Sequence, residues 1–264
     1  MYLVPVLASL LFGLGCAYVL LTQSVTLIPV TPLPENSAYG PFGNAIYFVI
    51  LIAVSATVFY LLLKRKSRKI ITILIGFALT TASMLLSIVY LSAIFSSVPN
   101  LEILVLPLSI IVTVFFDLAI FRLGGKARNT AVICVGGALG VFFGASIPLY
   151  SALLILGFLA VYDVFAVYYG PVGKIAARSG LDELQGLSYS FKDIQMGLGD
   201  LVFYSMLSGS MLFSFGLISC FVSILGMLVG SFLTLLILEK KSIFPGLPLP
   251  ILLGLVGGLL VSFV

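Results

Sequence analysis

Apolar residues in this chain come in runs of about twenty, and the stretches between the runs collect prolines, glycines and nearly all the charges. A helix of about 20 residues rises 1.5 Å per residue and spans the ~30 Å hydrocarbon core of a bilayer, so each run is the length of one crossing. Read in order, the runs predict nine helices over residues 4–21, 45–63, 70–94, 103–121, 130–147, 149–169, 194–213, 215–238 and 247–264. The stretch 194–238 carries one charge, Asp200, and its 45 residues are about twice a single crossing. It therefore reads as a hairpin, with the turn among Ser208, Gly209, Ser210, Ser214 and Gly216. Pro107 and Pro148 fall near helix starts, where the missing N–H costs little.

Composition agrees with the pattern. The 264 residues are 61% hydrophobic and 8% charged, with a mean hydropathy of +1.29, whereas soluble domains run near ~25% charged. Nine helices would use roughly 180 positions, leaving short connections and no room for a separate soluble domain. The chain reads as an all-α, polytopic, single membrane domain over 1–264, with N-terminal helices in 1–147 and the remaining four in 149–264. Residues 1–21 have no basic segment ahead of their apolar run, so a first span is expected rather than a cleaved signal peptide.

The 13 basic residues fall only in even-numbered connections. Lys64, Arg65, Lys66, Arg68 and Lys69 follow the second helix, and Arg122, Lys126 and Arg128 the fourth. Lys174, Arg178 and Lys192 follow the sixth, and Lys240 and Lys241 the eighth. The positive-inside rule then predicts a cytoplasmic N-terminus and an outside C-terminus, and one helix more or fewer would break the segregation. Basic clusters beside apolar runs set topology and do not indicate nucleic-acid binding. The chain has no His, which excludes Ser-His-Asp triads, Cys-His pairs and His-ligated zinc. Cys16, Cys134 and Cys220 lie singly in apolar runs and read as packed free thiols. Gly136, Gly140 and Gly144 form a small-residue ridge on the fifth helix, as do Gly226 and Gly230 on the eighth, suited to close helix packing.

Three ionisable residues fall inside the predicted spans: Asp117, Asp163 and Asp200. A carboxylate in hydrocarbon costs about 2.5–3.5 kcal/mol on insertion, so each is a functional candidate. Asp117 lies close to Arg122 and the basic connection, and is expected to pair or reach toward the interface there. Asp163 is six residues before the end of the sixth predicted helix and Asp200 six after the start of the seventh, so antiparallel packing would bring them to one level. Two close carboxylates in a low-dielectric site share one proton. In that state the ionised acid can deprotonate water as it attacks a peptide carbonyl, while the protonated acid donates to the carbonyl oxygen. Gly197-Leu198-Gly199-Asp200 leaves the backbone beside the second acid open to close approach. In Pro245-Gly246-Leu247-Pro248-Leu249-Pro250 the three prolines predict extended backbone with unpaired groups, on which an unwound substrate strand can pair.

These motifs resemble the intramembrane aspartyl proteases of the presenilin and signal peptide peptidase family. Val161-Tyr162-Asp163 is similar to the family's Tyr-Asp motif of the sixth helix, and Gly197-Leu198-Gly199-Asp200 to its Gly-x-Gly-Asp motif of the seventh. Asp200-Leu201-Val202-Phe203-Tyr204-Ser205, the stretch around Cys220-Phe221-Val222, and Glu239-Lys240-Lys241 are also presenilin-like. Pro245-Gly246-Leu247 resembles the family's Pro-Ala-Leu motif, with glycine in place of alanine. The resemblance covers about 149–264, while the first five helices agree only in number. It implies that Asp163 and Asp200 are the catalytic pair. Tyr162, Gly197, Leu198, Gly199, Pro245, Gly246 and Leu247 become motif or substrate-positioning residues.

The resemblance further implies an aspartic endopeptidase that cleaves transmembrane segments of single-span proteins and needs no metal or cofactor. It points to a compact prokaryotic-type homologue in the cell membrane, active without accessory subunits and with room for a homo-oligomer. The short connection between the sixth and seventh helices implies no internal cleavage there. The rival from another class is a proton- or cation-coupled transporter using the same carboxylates, although no internal repeat is visible. A prepilin-type peptidase, which also carries Gly-x-Gly-Asp, is opposed by the nine spans and the proline segment.

Overall fold

The computed structural model describes residues 3–23, 27–37, 39–65, 67–96, 98, 100–170, 188–191, 194–240 and 244–262. Lys66, Lys174, Arg178, Lys192 and Lys241, on which part of the charge-segregation argument rests, lie outside the described residues.

Among the described residues the chain forms nine α-helices and one short hairpin. The helices are α1 (Val4–Thr22), α2 (Gly40–Lys64), α3 (Arg68–Phe95), α4 (Val105–Leu118), α5 (Gly125–Ser146) and α6 (Leu149–Tyr168). The hairpin strands β1 (Ser188–Phe191) and β2 (Ile194–Gly197) follow, then α7 (Leu198–Phe215), α8 (Leu217–Lys240) and α9 (Pro248–Ser262). Eight helices are long and apolar enough to cross a membrane, while α9 is apolar but shorter. Large apolar side chains such as Phe77, Ile73, Phe115 and Ile218 stand on the outer surface, which only a lipid environment tolerates in such number. This is an integral, multi-pass membrane protein.

Helix α7 is the hub. It packs along α5 and α8 and also touches α1, α6 and α9, while α2 lies on α6, α3 on α4, and α9 most extensively on α8. The glycine ridges explain the two closest pairs. A Cβ at Gly144 would stand 2.7 Å from the Met206 carbonyl oxygen, and one at Gly140 would meet the Val202 carbonyl and, at 2.5 Å, Ser205 Cβ. Only glycine lets α5 and α7 approach this closely. On α8, a Cβ at Gly230 would stand 2.5 Å from Pro250 Cα, and one at Gly226 would meet the Leu253 carbonyl of α9. Buried Asn44 ties α2 to the start of α6 by donating to Ser151 Oγ at 3.0 Å, while its Oδ1 accepts from the Leu33 N–H.

Several expectations are corrected. The seventh helix starts at Leu198 and not at residue 194, because residues 194–197 pair with β1 in register Ser188↔Gly197 to Phe191↔Ile194. The hairpin takes the backbone groups a first helical turn would have used, and the flanking glycines favour that choice. The turn after α7 falls at Gly216, with φ +84°, so Ser208, Gly209 and Ser210 are buried helix residues. Pro248 and Pro250 sit inside the first turn of α9, where their missing N–H groups would have had no helical partner, and the described residues just before it, 244–247, are irregular, with a bend at Gly246 and Leu247. The fourth crossing is composite: a 3₁₀ turn (Leu101–Leu104), α4, and a π-helical turn (Ala119–Leu123). Asp117 faces α3 and not the basic connection: Thr80 Oγ1 donates to its Oδ2 at 2.8 Å.

Candidate active site

Asp163 lies near the end of α6, which stops at Tyr168. Asp200 is the third residue of α7, whose N-cap is Gly197 in extended conformation at φ −68°, ψ 142°. From that position the Asp200 carboxylate lies close to Gly197 at the helix entrance. The equal residue counts expected from the sequence do not set the level of the two acids. The segment before α9 does: the Leu247 N–H donates to Asp163 Oδ2 at 3.0 Å, with the Gly246 N–H also directed at Asp163. A Cβ on Gly246 would stand only 3.1 Å from Asp200 Oδ2. Gly246 thus lies beside both acids and Leu247 holds Asp163, and the two carboxylates lie within electrostatic reach of one another. Both side chains are half-buried.

Tyr204 completes the arrangement. Four residues after Asp200 it shares that helix face, it is among the largest fully buried side chains, and its hydroxyl donates to the Gly246 carbonyl at 2.8 Å. The Leu247 N–H is therefore already engaged and not free to pair with a substrate strand, and the Gly246 carbonyl has one of its two lone pairs taken. Among the described residues Tyr162 makes no hydrogen bond to Asp163, and it is half-buried beside it. Leu198, Pro245 and Leu247 are buried, Gly197 is half-buried and Gly199 is exposed. Sequence reading cited Tyr204 only as part of a similar stretch. Its spacing of four from Asp200 was the available signal. Ser231 and Thr234 of α8, which face a cavity beside Asp200, were not singled out, since lone hydroxyls in an apolar helix carry little information.

A multi-pass helical bundle with two aspartates held on one backbone segment defines a class, and comparison with known proteins narrows it. The presenilin family model matches residues 175–264. Presenilin-B of Dictyostelium discoideum is 32% identical over 120 residues, covering 41% of this chain and 25% of that protein. The chain thus aligns with about a quarter of that relative's length. A solved presenilin-family intramembrane aspartate protease, in space group C222, superposes with a TM-score of 0.69 at 22% identity over 100% of both chains. A second such structure, in space group P2, gives 0.64 at 23% identity, covering 98% of this chain and 95% of that one. Together these findings show a C-terminal region similar to presenilins and a fold like that of the solved presenilin-family structures.

Proposed function

We propose that the chain is an intramembrane aspartyl endopeptidase in which Asp163 and Asp200 activate water. The observation that carries this reading is the hold of residues 246–247 on both acids, with the Leu247 N–H on Asp163 and Gly246 against Asp200. That contact gives two carboxylates one shared level, and a pair so placed holds one proton. The ionised acid takes a proton from water as the water oxygen bonds to the scissile carbonyl carbon, and its protonated partner gives its proton to the carbonyl oxygen. Collapse of the tetrahedral species breaks the C–N bond and returns a proton to the leaving nitrogen. The chemistry requires no metal or cofactor. The transporter reading is not favoured, since the family and fold both point to a protease.

The single domain crosses the membrane nine times, with the N-terminus cytoplasmic. Helix α9 has 15 residues, about 22 Å, and the irregular residues 244–247 ahead of it lengthen the segment toward a crossing. Substrates are single-span proteins with their N-terminus outside, cut near the cytoplasmic face after local unwinding. The protein acts without accessory subunits. With the Leu247 N–H engaged, β2, which runs directly into α7, is the better template for an unwound strand.

The test is proteolysis of a tagged single-span substrate by purified protein in liposomes, with fragments mapped by mass. Cleavage within the apolar segment by wild type, abolished in Asp163→Asn and in Asp200→Asn, is the expected result. Cleavage that survives either substitution in folded protein would remove the dyad from the mechanism.

A further inference from the structure

The connection between α4 and α5 is basic and stands clear of the bundle. Arg122 in the π-helical turn and Lys126 in the first turn of α5 are exposed, Arg128 is half-buried, and a Cβ added at Gly124 or Gly125 would meet nothing within 4 Å. No acid offsets these charges. Between residues 103 and 162 the sequence has one carboxylate, Asp117, and that one accepts from Thr80 of α3. Basic clusters at the ends of membrane-crossing helices lie at headgroup level, where they attract anionic lipid.

The same two crossings wall an apolar cavity of about 190 Å³, completed by α1 and α3 and lined by Phe12, Cys16, Tyr90, Phe116, Cys134 and Ala138 among others. Two of its three hydroxyls are spent within the protein: Tyr90 donates to the Ala138 carbonyl at 2.8 Å, and Ser83 bonds back to the Leu79 carbonyl. The remaining wall is almost wholly apolar, and a cavity of that kind stays dry and takes up hydrocarbon. Phe12 is 41% exposed on the outer surface, and Cys16, Phe116 and Cys134 are half-buried, so the cavity opens toward lipid. Depth joins the two features. Phe116 lies seven residues before Leu123, and Cys134 and Ala138 lie nine and 13 residues after Gly125, which puts the cavity about 10–20 Å inward of the basic connection. Half of the bilayer's hydrocarbon is ~15 Å thick, so a chain hanging from a phosphate at the connection reaches the cavity.

We propose that this is a site for an anionic phospholipid of the leaflet on the basic side. Arg122, Lys126 and Arg128 take its phosphate headgroup, and the cavity between α1, α3, α4 and α5 takes one acyl chain. Free phosphate would satisfy the cations and leave the cavity empty, and a zwitterionic lipid would fill the cavity and leave the charges unbalanced. A bound chain braces the α3–α4 pair, whose helices pack far more on each other than on α1 or α5. The site is separate from Asp163 and Asp200, and it does not rest on the protease reading.

The chain has no tryptophan, so Phe116→Trp puts a single fluorophore on the cavity wall. If that variant fails to fold, Phe12→Trp reports from the α1 side of the same cavity. The full chain is reconstituted in phosphatidylcholine vesicles containing rising fractions of phosphatidylglycerol or phosphatidylcholine brominated on the acyl chain, and quenching is read. Half-maximal quenching is expected at a mole fraction about fivefold or more lower for the brominated phosphatidylglycerol. Replacing Arg122, Lys126 and Arg128 together by Gln should bring the two lipids within about twofold of each other. Removing charge from the connection between α2 and α3, with Lys64→Gln and Arg65→Gln, should leave the preference within about twofold of its starting value. Cys134→Leu, or Val112→Phe if the first does not fold, fills the cavity and should raise the phosphatidylglycerol midpoint about fivefold. Equal quenching by the two lipids in the starting protein overturns the proposal, as does a preference that survives loss of the three charges. A preference lost equally on removing Lys64 and Arg65 marks diffuse attraction and also overturns it. An unchanged midpoint in a folded cavity-filled variant removes the acyl-chain site and overturns it as well.

Discussion

Gly246 is glycine where the resembling motif has alanine, and the structure gives that difference a dimension. A Cβ there would stand 3.1 Å from Asp200 Oδ2, tighter than ordinary contact, but the atom opposite is the end of a side chain and not backbone. A shift of a few tenths of an ångström relieves it. Gly246→Ala should therefore fold normally and keep kcat within about tenfold of wild type, whereas Gly246→Val should lose about a hundredfold or more, the scale on which misplaced reacting groups fail. Steady-state cleavage, alongside circular dichroism to confirm helical content, checks both. Tyr204→Phe probes the same segment from behind. It leaves the Gly246 carbonyl without its 2.8 Å donor, at a cost of about 1 kcal/mol in stability. It should also slow kcat by about tenfold by loosening the segment that holds Asp163. Unchanged turnover in Tyr204→Phe would show that the segment holds its place without the tyrosine.

Helix contacts are where the glycines decide stability. At Gly140 an added side chain meets the Val202 carbonyl and Ser205 Cβ of α7, atoms that cannot move without the helix moving. Gly140→Leu should destabilise the bundle by about 3 kcal/mol or more, the upper range for overpacking. At Gly157 an added Cβ meets nothing within 4 Å, so Gly157→Ala should be neutral or gain up to ~1 kcal/mol from helix propensity. Thermal unfolding in one detergent distinguishes the two, and equal losses would refute the ridge as the basis of α5–α7 packing. This ridge was legible in the sequence because a four-residue spacing of glycines has a direct geometric meaning on a helix. The helices were legible too, since an apolar run the length of a bilayer has few alternatives. What hydropathy could not convey was the entry to α7. Residues 194–197 are apolar enough to extend a helix, and only pairing with β1, a tertiary event, claims them as strand. The candidate acids were found by their cost in hydrocarbon. Ser231 and Thr234 were not legible because a hydroxyl in an apolar run costs little when it bonds back to its own helix, as Thr234 does to the Gly230 carbonyl.

Orientation belongs to the whole molecule. The ends of α2, α4, α6 and α8 and the starts of α3, α5, α7 and α9 must lie on one side if the helices alternate in direction. Lys64, Lys69, Arg122, Lys126 and Lys240 all stand at those ends. Asp163, near the end of α6, and Asp200, in the first turn of α7, belong to the same side. Charge and candidate chemistry thus share a face, and the orientation proposed above, from the positive-inside rule, would put that face in the cytoplasm. The other side carries Glu35 and Glu102 in its connections, and Glu35 Oε1 accepts from the Tyr150 N–H, tying the connection between α1 and α2 to the start of α6. A background with Cys16, Cys134 and Cys220 replaced by alanine makes this testable, since none of the three is fully exposed in the native protein. In intact cells a membrane-impermeant maleimide should label Glu102→Cys and leave Lys126→Cys unmodified until the membrane is opened. The reverse labelling would invert the protein. It would move the acid pair to the outer face, and the substrates proposed here would then have to be single-span proteins of the opposite orientation.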